Sequence, residues 1–320
     1  MKRLFTLLMI LTTLNVFTSG CKTGHSNKKL TPGQGYVNVT GGRVWYKVVG
    51  SGDKIPLLIL HGGPGATGYY LTPLEALGKD RPVIFFDQVG CGRSGNKLDT
   101  ALMNTESFVN SVEELRKALG LNEYYLYGQS WGTMLGVDYY LKYPKGIKAM
   151  ILSSPAISVP LWLKDADTLI ATLPDSIQNA IRENEKRGTY DAPEYQQAMD
   201  VYYKNFVARK LPWSADIDST FRFINTEIYN YMEGPSEFTF TGNLKNYDRT
   251  DRLHEIKVPT LFICGEYDEA RPPTVKYYAS LVPGSKFAVI KDAAHMTMQD
   301  NPKEDIRVIS EFLNEVDKGR

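Results

Sequence analysis

Six apolar runs punctuate the chain: PLLILHGG, PVIFFDQ, YYLYGQS, KAMILSSP, VPTLFICGEYD and SKFAVIKDAAH. Apolar runs without polar alternation are strands buried on both faces, as in a mostly parallel sheet covered by helices. Between them, residues 105–119 and 132–143 carry apolar positions at helical spacing, and a last helix is expected from about 302 to 316. Ahead of the first run, YVNVTGGRVWYKVVG surrounds a Gly-Gly turn and predicts an antiparallel hairpin. From about 157 to 248 the strand pattern disappears, and DSIQNAIRENEKRGTYDAPEYQQAMDVYYKNFVARKL reads as amphipathic helix. A helical segment inserted into one α/β sheet predicts a cap over the carboxyl ends of the strands, where ligands bind in such folds. The expected division is a core of 36–156 and 249–320 with a helical cap of 157–248.

The first residues, MKRLFTLLMILTTLNVFTSGC, obey a different pattern. Lys2 and Arg3 precede a mostly apolar stretch over residues 4–17, and the small residues Thr18, Ser19 and Gly20 lead to Cys21. The apolar stretch is too short for a membrane span and predicts a signal peptide over 1–20. Its end resembles a bacterial lipobox, which implies lipidation of Cys21 and an exported chain held at a bacterial membrane by that lipid. Residues 21–35, polar with Pro and Gly, are expected to be a flexible tether. Loss of Lys2 and Arg3 leaves 35 basic against 36 acidic residues. With neither a basic run nor a net positive field, a nucleic-acid partner is excluded and a small ligand is expected. Cys91 and Cys264 read as core residues more than as a disulfide.

GQSWG, residues 128–132, places Ser130 on a strand-to-helix turn of the G-x-S-x-G type, which makes it the candidate nucleophile. The chain has four histidines. His25 falls in the tether, His254 on a segment entering a strand, and His61 in a Gly-rich loop, leaving His295 as the base. Asp268, at the end of the preceding strand, is the acid that fixes the imidazole tautomer, with Asp292 as its rival. The order Ser130, Asp268, His295 is that of the α/β-hydrolase fold. HGGPG, residues 61–65, offers backbone N–H groups to a developing oxyanion, with Gly63 and Trp131 as the candidate donors. DQVGCGRS, residues 87–94, reads as a structural turn under the site.

Together HGGPG, DQVGCGRS, GQSWGT, GEYDEARP and DAAHM resemble the proline iminopeptidase branch of the α/β hydrolases, which includes the tricorn-interacting aminopeptidase. The resemblance covers about residues 36–316. It implies a serine aminopeptidase that releases an N-terminal residue, often proline, from short peptides with no metal and no cofactor. It also implies that two acids hold the substrate's α-ammonium: Glu237, in GPSEF of the cap, and Glu269, turned away from His295. Tyr229 would line the pocket, with Glu227 and Glu233 as nearby alternatives to Glu237. Glu266 reads as an ordinary strand-end residue. A carboxylesterase or lactonase on the same triad, or a non-catalytic binding protein on this scaffold, are the competing readings.

Overall fold

The computed structural model describes residues 29–319; the expected signal peptide, Cys21 and residues up to 28 lie outside the described residues. Eight strands form one sheet: β1 (Gly33–Val39), β2 (Gly42–Val49), β3 (Leu57–Leu60), β4 (Val83–Phe86), β5 (Tyr124–Gln129), β6 (Ile147–Ser153), β7 (Thr260–Gly265) and β8 (Lys286–Ile290). Their order is β1-β2-β4-β3-β5-β6-β7-β8. β4 to β8 run parallel with β3 among them, whereas the hairpin β1-β2 joins β4 in antiparallel register through Tyr46 opposite Phe86. The expected hairpin is therefore an edge of the main sheet.

The tether ends sooner than expected. Gly33, Gln34 and Gly35 pair with Val48, Lys47 and Tyr46, and Leu30 packs on the core. Strand pairing uses backbone groups that glycine carries as well as any residue, so the composition concealed the start of the strand.

The strands explain the unbroken apolar runs. In β3, Leu58 and Leu60 face a core shared with Phe108 and Val112, while Leu57 and Ile59 face a second core shared with Leu74 and Phe312. Alternate side chains point to opposite faces, and both faces are covered. The first face carries α1 (Thr105–Leu119), α2 (Trp131–Lys142) and, near the other edge, α8 (Pro272–Leu281). The second carries a run of 3₁₀ turns over Gly68–Lys79 together with α9 (Thr297–Asp300) and α10 (Pro302–Lys318). The α1 helix is capped by Asn104, whose Oδ1 accepts from Ser107 N, and ends on Gly120 in the left-handed region.

Between β6 and β7 the chain leaves the sheet. It forms α3 (Val159–Ile170), α4 (Asp175–Arg187), α5 (Pro193–Phe206), α6 (Ala215–Arg222) and α7 (Thr226–Met232). The two connections run side by side: Val159 N donates to Tyr247 O (2.9 Å) and Arg249 N to Ile157 O (3.1 Å). Arg249 then forms two bonds to Asp138 of α2, at 2.6 and 3.2 Å. The helices have their own small core around Ile181, Ala198 and Tyr202.

One buried acid on α10 has few partners. Asp305 is fully buried, Thr297 Oγ1 donates to its Oδ1 at 2.9 Å, and its Oδ2 has no partner among the described residues. Burial pushes its carboxyl up to about 7. A carboxyl raised above its unfolded value binds more protons when folded, so its ionisation withdraws stability as pH rises from the ordinary carboxylate range through 7, by about 1.4 kcal/mol per pH unit. Asp305→Asn is expected to flatten this slope: between pH 5 and 8 its thermal midpoint should decline by less than that of the wild type in parallel melts.

Candidate active site

Ser130 joins β5 to α2 with φ 54° and ψ −125°, a conformation L-residues rarely adopt. The turn is held by Ser130 N donating to Ser153 O at 3.1 Å. Gly132 is required by close approach, because a Cβ there would stand 2.3 Å from Leu60 O. As the first residue of α2, Trp131 presents a backbone N–H with no earlier turn to accept it.

Asp268 and His295 meet as expected. His295 Nδ1 lies 2.8 Å from Asp268 Oδ1, and the two side chains are almost wholly buried. The Asp268 carboxylate also accepts from Gly265 N (3.0 Å), Ala270 N (2.8 Å) and Ser154 Oγ (2.6 Å). With Oδ1 accepting from Nδ1–H, the other imidazole nitrogen, Nε2, is left as the acceptor that a general base needs. Trp162 of the cap lies edge-on to the imidazole, with ring centroids 5.7 Å apart. Asp292 is exposed and receives no bond from His295; its backbone N–H donates to Glu266 Oε2 at 3.1 Å. Glu266 thus steadies the turn before His295. His254 is exposed on the segment before β7.

The HGGPG loop lies against the nucleophile. A Cβ on Gly62 would come within 3.2 Å of Ser130 Cβ and 2.8 Å of Gln129 Oε1, so only glycine permits this approach. Gly63, Ser130, Trp131 and His295 border one cavity. Two polar relays absent from the sequence reading hold the loop. In the first, Gly62 N donates to Tyr70 Oη (2.7 Å), Tyr70 donates to Gln129 Oε1 (2.5 Å), and Gln129 Nε2 donates to His295 O (3.2 Å). In the second, Trp131 Nε1 donates to Gln88 Oε1 (2.9 Å) and Gln88 Nε2 to His61 O (2.9 Å).

His61 itself is no base. Its Nε2 accepts from Gln88 N (2.9 Å), its Nδ1 bonds Gly62 O (2.8 Å), and burial lowers its pKa, so the ring is neutral and structural. DQVGCGRS is structural too. Burial would raise Asp87, but two bonds from Arg93, at 2.6 and 2.8 Å, bring it below the usual carboxylate range. Cys91 and Cys264 are buried free thiols.

The cap brings carboxylates to the same cavity. Glu237 Oε1 is 2.9 Å from Tyr229 Oη, and Trp162 Nε1 donates to Glu237 O at 3.2 Å. The GPSEF turn is anchored from α4 by Glu185, which accepts from Ser236 Oγ (2.7 Å) and from Thr239 Oγ1. Glu269 is 4% exposed, and its Oε2 has no partner among the described residues. It differs from expectation in one respect: Oε1 lies 3.7 Å from His295 Nε2, so Glu269 is not turned away from the imidazole but stands beside its other edge. The separation is too long for a hydrogen bond, which leaves Nε2 free. Glu233 joins the group, with Oε1 2.9 Å from Tyr229 Oη. Glu227 is exposed and lines a separate surface depression. Burial, followed by the neighbouring carboxylates, raises Glu233 and Glu269 well above the ordinary range; burial also raises Glu237, less strongly because Tyr229 and His295 counter it.

A family model described as the alpha/beta hydrolase fold matches residues 55–302. A proline iminopeptidase of Heyndrickxia coagulans is 46% identical over 287 residues, which span 88% of this chain and 99% of that protein. The chain belongs to the proline iminopeptidase family of α/β hydrolases. Among solved structures, the proline iminopeptidase of Mycobacterium smegmatis superposes with a TM-score of 0.84 at 31% identity, over 90% of this chain and 99% of that one. VinJ superposes with a TM-score of 0.85 at 33% identity, over 89% and 100%. The family read from the motifs is therefore the family of the whole chain.

Ser154 is the residue that sequence reading missed nearest the chemistry. Its Oγ also lies 2.9 Å from His295 O, so one hydroxyl ties the acid to the loop bearing the base. A hydrogen bond to a charged group contributes about 1.5 kcal/mol or more, so Ser154→Ala is expected to slow fluorophosphonate labelling of Ser130 by about tenfold. Labelling rates of the two proteins, both checked for native circular dichroism, measure it.

Proposed function

We propose that this chain releases the N-terminal residue of peptides, proline or another small or hydrophobic residue, by acyl-enzyme chemistry at Ser130. The observation that carries the reading is a set of buried carboxylates at the cavity with no lysine or arginine among the residues lining it. Buried negative charge without a partner is strongly unfavourable, and a cavity built this way selects a cation. A peptide's α-ammonium is a cation at a fixed distance from the first carbonyl. Glu237 and Glu269 receive it, and Trp162, Tyr203, Val207, Phe221 and Phe240 supply apolar walls for the side chain.

With the ammonium so held, Ser130 Oγ attacks the carbonyl carbon of the first residue and its proton passes to His295 Nε2. Asp268 keeps the imidazole oriented and stabilises the imidazolium. The tetrahedral oxyanion is met by Gly63 N–H and Trp131 N–H, each contributing on the order of 3 kcal/mol. His295 returns the proton to the departing amine. Water, deprotonated by the same imidazole, then releases the residue from Ser130.

The chain is also read as exported and lipid-anchored through Cys21. The support is the charged head, apolar stretch and small residues before Cys21, with a mature charge near neutrality that leaves the lipid as the only membrane tie. Among the described residues no helix is long and apolar enough to cross a membrane. The mass of the mature N-terminal peptide checks this: a diacylglyceryl group on an N-terminal Cys21 is expected, and an unmodified Cys21 would overturn the anchor.

Prolyl- and other aminoacyl-naphthylamides should be hydrolysed, and Ser130→Ala should abolish the reaction. Hydrolysis of N-acetylated substrates as fast as free ones would remove the amine-recognition reading. Glu269→Gln is expected to raise KM by about tenfold or more while Ser130 still reacts with fluorophosphonate; Asp268→Asn should impair both.

The raised pKa values set a pH dependence. Carboxyls raised by burial and mutual repulsion are protonated at mildly acidic pH and then lack the charge that attracts an ammonium. In pH profiles, kcat/KM for a free-amine substrate should therefore fall with an acid limb above the ordinary carboxylate range. Glu269→Gln should alter that limb for the free-amine substrate.

A further inference from the structure

The Tyr229 hydroxyl lies between two carboxyls, 2.9 Å from Glu233 Oε1 and 2.9 Å from Glu237 Oε1. A phenol has one proton to give. If both carboxyls were ionised, one contact would set a carboxylate oxygen against the lone pairs of the phenol oxygen, in surroundings too dry to screen the repulsion. Both contacts are hydrogen bonds only if one carboxyl keeps its proton and donates it to the phenol. Glu233 is 5% exposed at the end of α7, whereas Glu237 is less buried. Glu237 is therefore the better placed of the two to be ionised and to meet a bound ammonium.

We propose that Glu233 is a neutral acid in the resting enzyme: its O–H donates to Tyr229 Oη, and Tyr229 O–H donates to Glu237. Glu233 is then a positioning residue. It turns the tyrosine's single proton toward Glu237 and leaves Glu237 as the ionised member of the pair to meet the substrate's ammonium. The inference rests on the amine-binding reading above and adds a proton inventory to it. The titratable groups bearing on Glu233 are Glu237, Glu269, Tyr203 and Tyr229, and among the described residues no lysine or arginine lines the cavity. Electrostatics agrees with the geometry. Burial first, then the charge of Glu237, raise Glu233; the contact between the two carboxyls raises Glu233 further and lowers Glu237.

The sequence places this acid directly before GPSEF, in MEGPSEF. Glu233 N donates to Tyr229 O at 2.8 Å, so the last turn of α7 puts the glutamate and the tyrosine on the same side. Two glutamates on opposite sides of one tight turn thus converge on one phenol.

The test compares an amide with a truncation. Glu233→Ala removes the donor to Tyr229 Oη and is expected to raise KM for prolyl-naphthylamide about tenfold with kcat little changed. Glu233→Gln supplies an amide N–H to the same oxygen and should recover kcat/KM to within about threefold of the wild type. Infrared difference spectra between wild type and Glu233→Gln at neutral pH, without substrate, should contain a carboxylic-acid C=O stretch from the wild type alone. If Glu233→Gln loses as much as Glu237→Gln, Glu233 is an ionised ligand of the ammonium and the proposal is overturned; absence of the infrared band overturns it as well. Equal hydrolysis of N-acetylated and free substrates would instead overturn the amine-binding reading, and the infrared measurement, which needs no substrate, separates the two failures.

Discussion

Asp268 carries a carboxylate into the interior with no lysine or arginine beside it among the described residues, and the arrangement of three strand ends follows from satisfying it. An isolated ionised carboxyl in such a place is unfavourable by several kcal/mol. Here the compensation comes from Gly265 and Ala270 N–H on its own loop, Ser154 Oγ beyond β6 and the His295 imidazole beyond β8. These donors reach one point because β6, β7 and β8 are neighbours and parallel, so their carboxyl ends lie at one edge. Had Asp268 been neutralised by an arginine, the imidazolium that forms during acyl transfer would lose much of its stabilisation.

Two other buried aspartates show the alternatives. Asp87 is neutralised by Arg93, whose guanidinium is sandwiched between Trp45 and Tyr69 at 3.4 and 4.4 Å, and it serves as a fixed brace for the floor of the site. Asp305 has only Thr297 and responds by holding its proton to about neutral pH. The same side chain is a brace, a latent acid or a catalytic orienter according to whether a guanidinium, a single hydroxyl, or an imidazole with a set of neutral donors surrounds it. Residue type alone did not distinguish these cases in the sequence; position at a strand end before a histidine did.

Much of the site was legible because close backbone approach restricts the alphabet. Gly62 and Gly132 sit where any side chain would collide, and such glycines, next to a serine and after an apolar strand, leave a readable pattern. The parallel strands were legible for a related reason, since burial on two faces removes polar residues from a run. What escaped was set by tertiary approach without compositional trace. Tyr70, Gln88 and Gln129 are single polar residues whose partners lie 8, 43 and 59 positions away, and Ser154 reaches Asp268 across 114. The start of the first strand escaped because Gly33 and Gly35 contribute only backbone. Glu233 could be named as a neighbour of Glu237, but that it reaches the pocket beside Glu237 depended on how α7 ends.

The position of Glu269 directly after Asp268 has a consequence for how such an enzyme measures its substrate. Asp268 occupies the Nδ1 edge of His295, and Glu269 Oε1 stands 3.7 Å from Nε2, on the side where the proton of Ser130 must arrive. In the proposed reaction the ammonium site and the reacting carbonyl are thereby referenced to one imidazole by consecutive residues of one core turn. That turn is also pinned to the cap, since Glu269 N and His295 N both donate to Phe206 O of α5, at 3.3 and 3.1 Å. Glu237 comes from the cap, through a turn tethered to Glu185 and Trp162. In the proposed reaction the core therefore sets which peptide bond is cut, one residue from the amine. The cap, with its carboxyls and aromatic walls, sets which first residue is admitted. Substitutions on the two sides should separate accordingly, because a ruler built into the turn after β7 does not change length when the walls of the cap do.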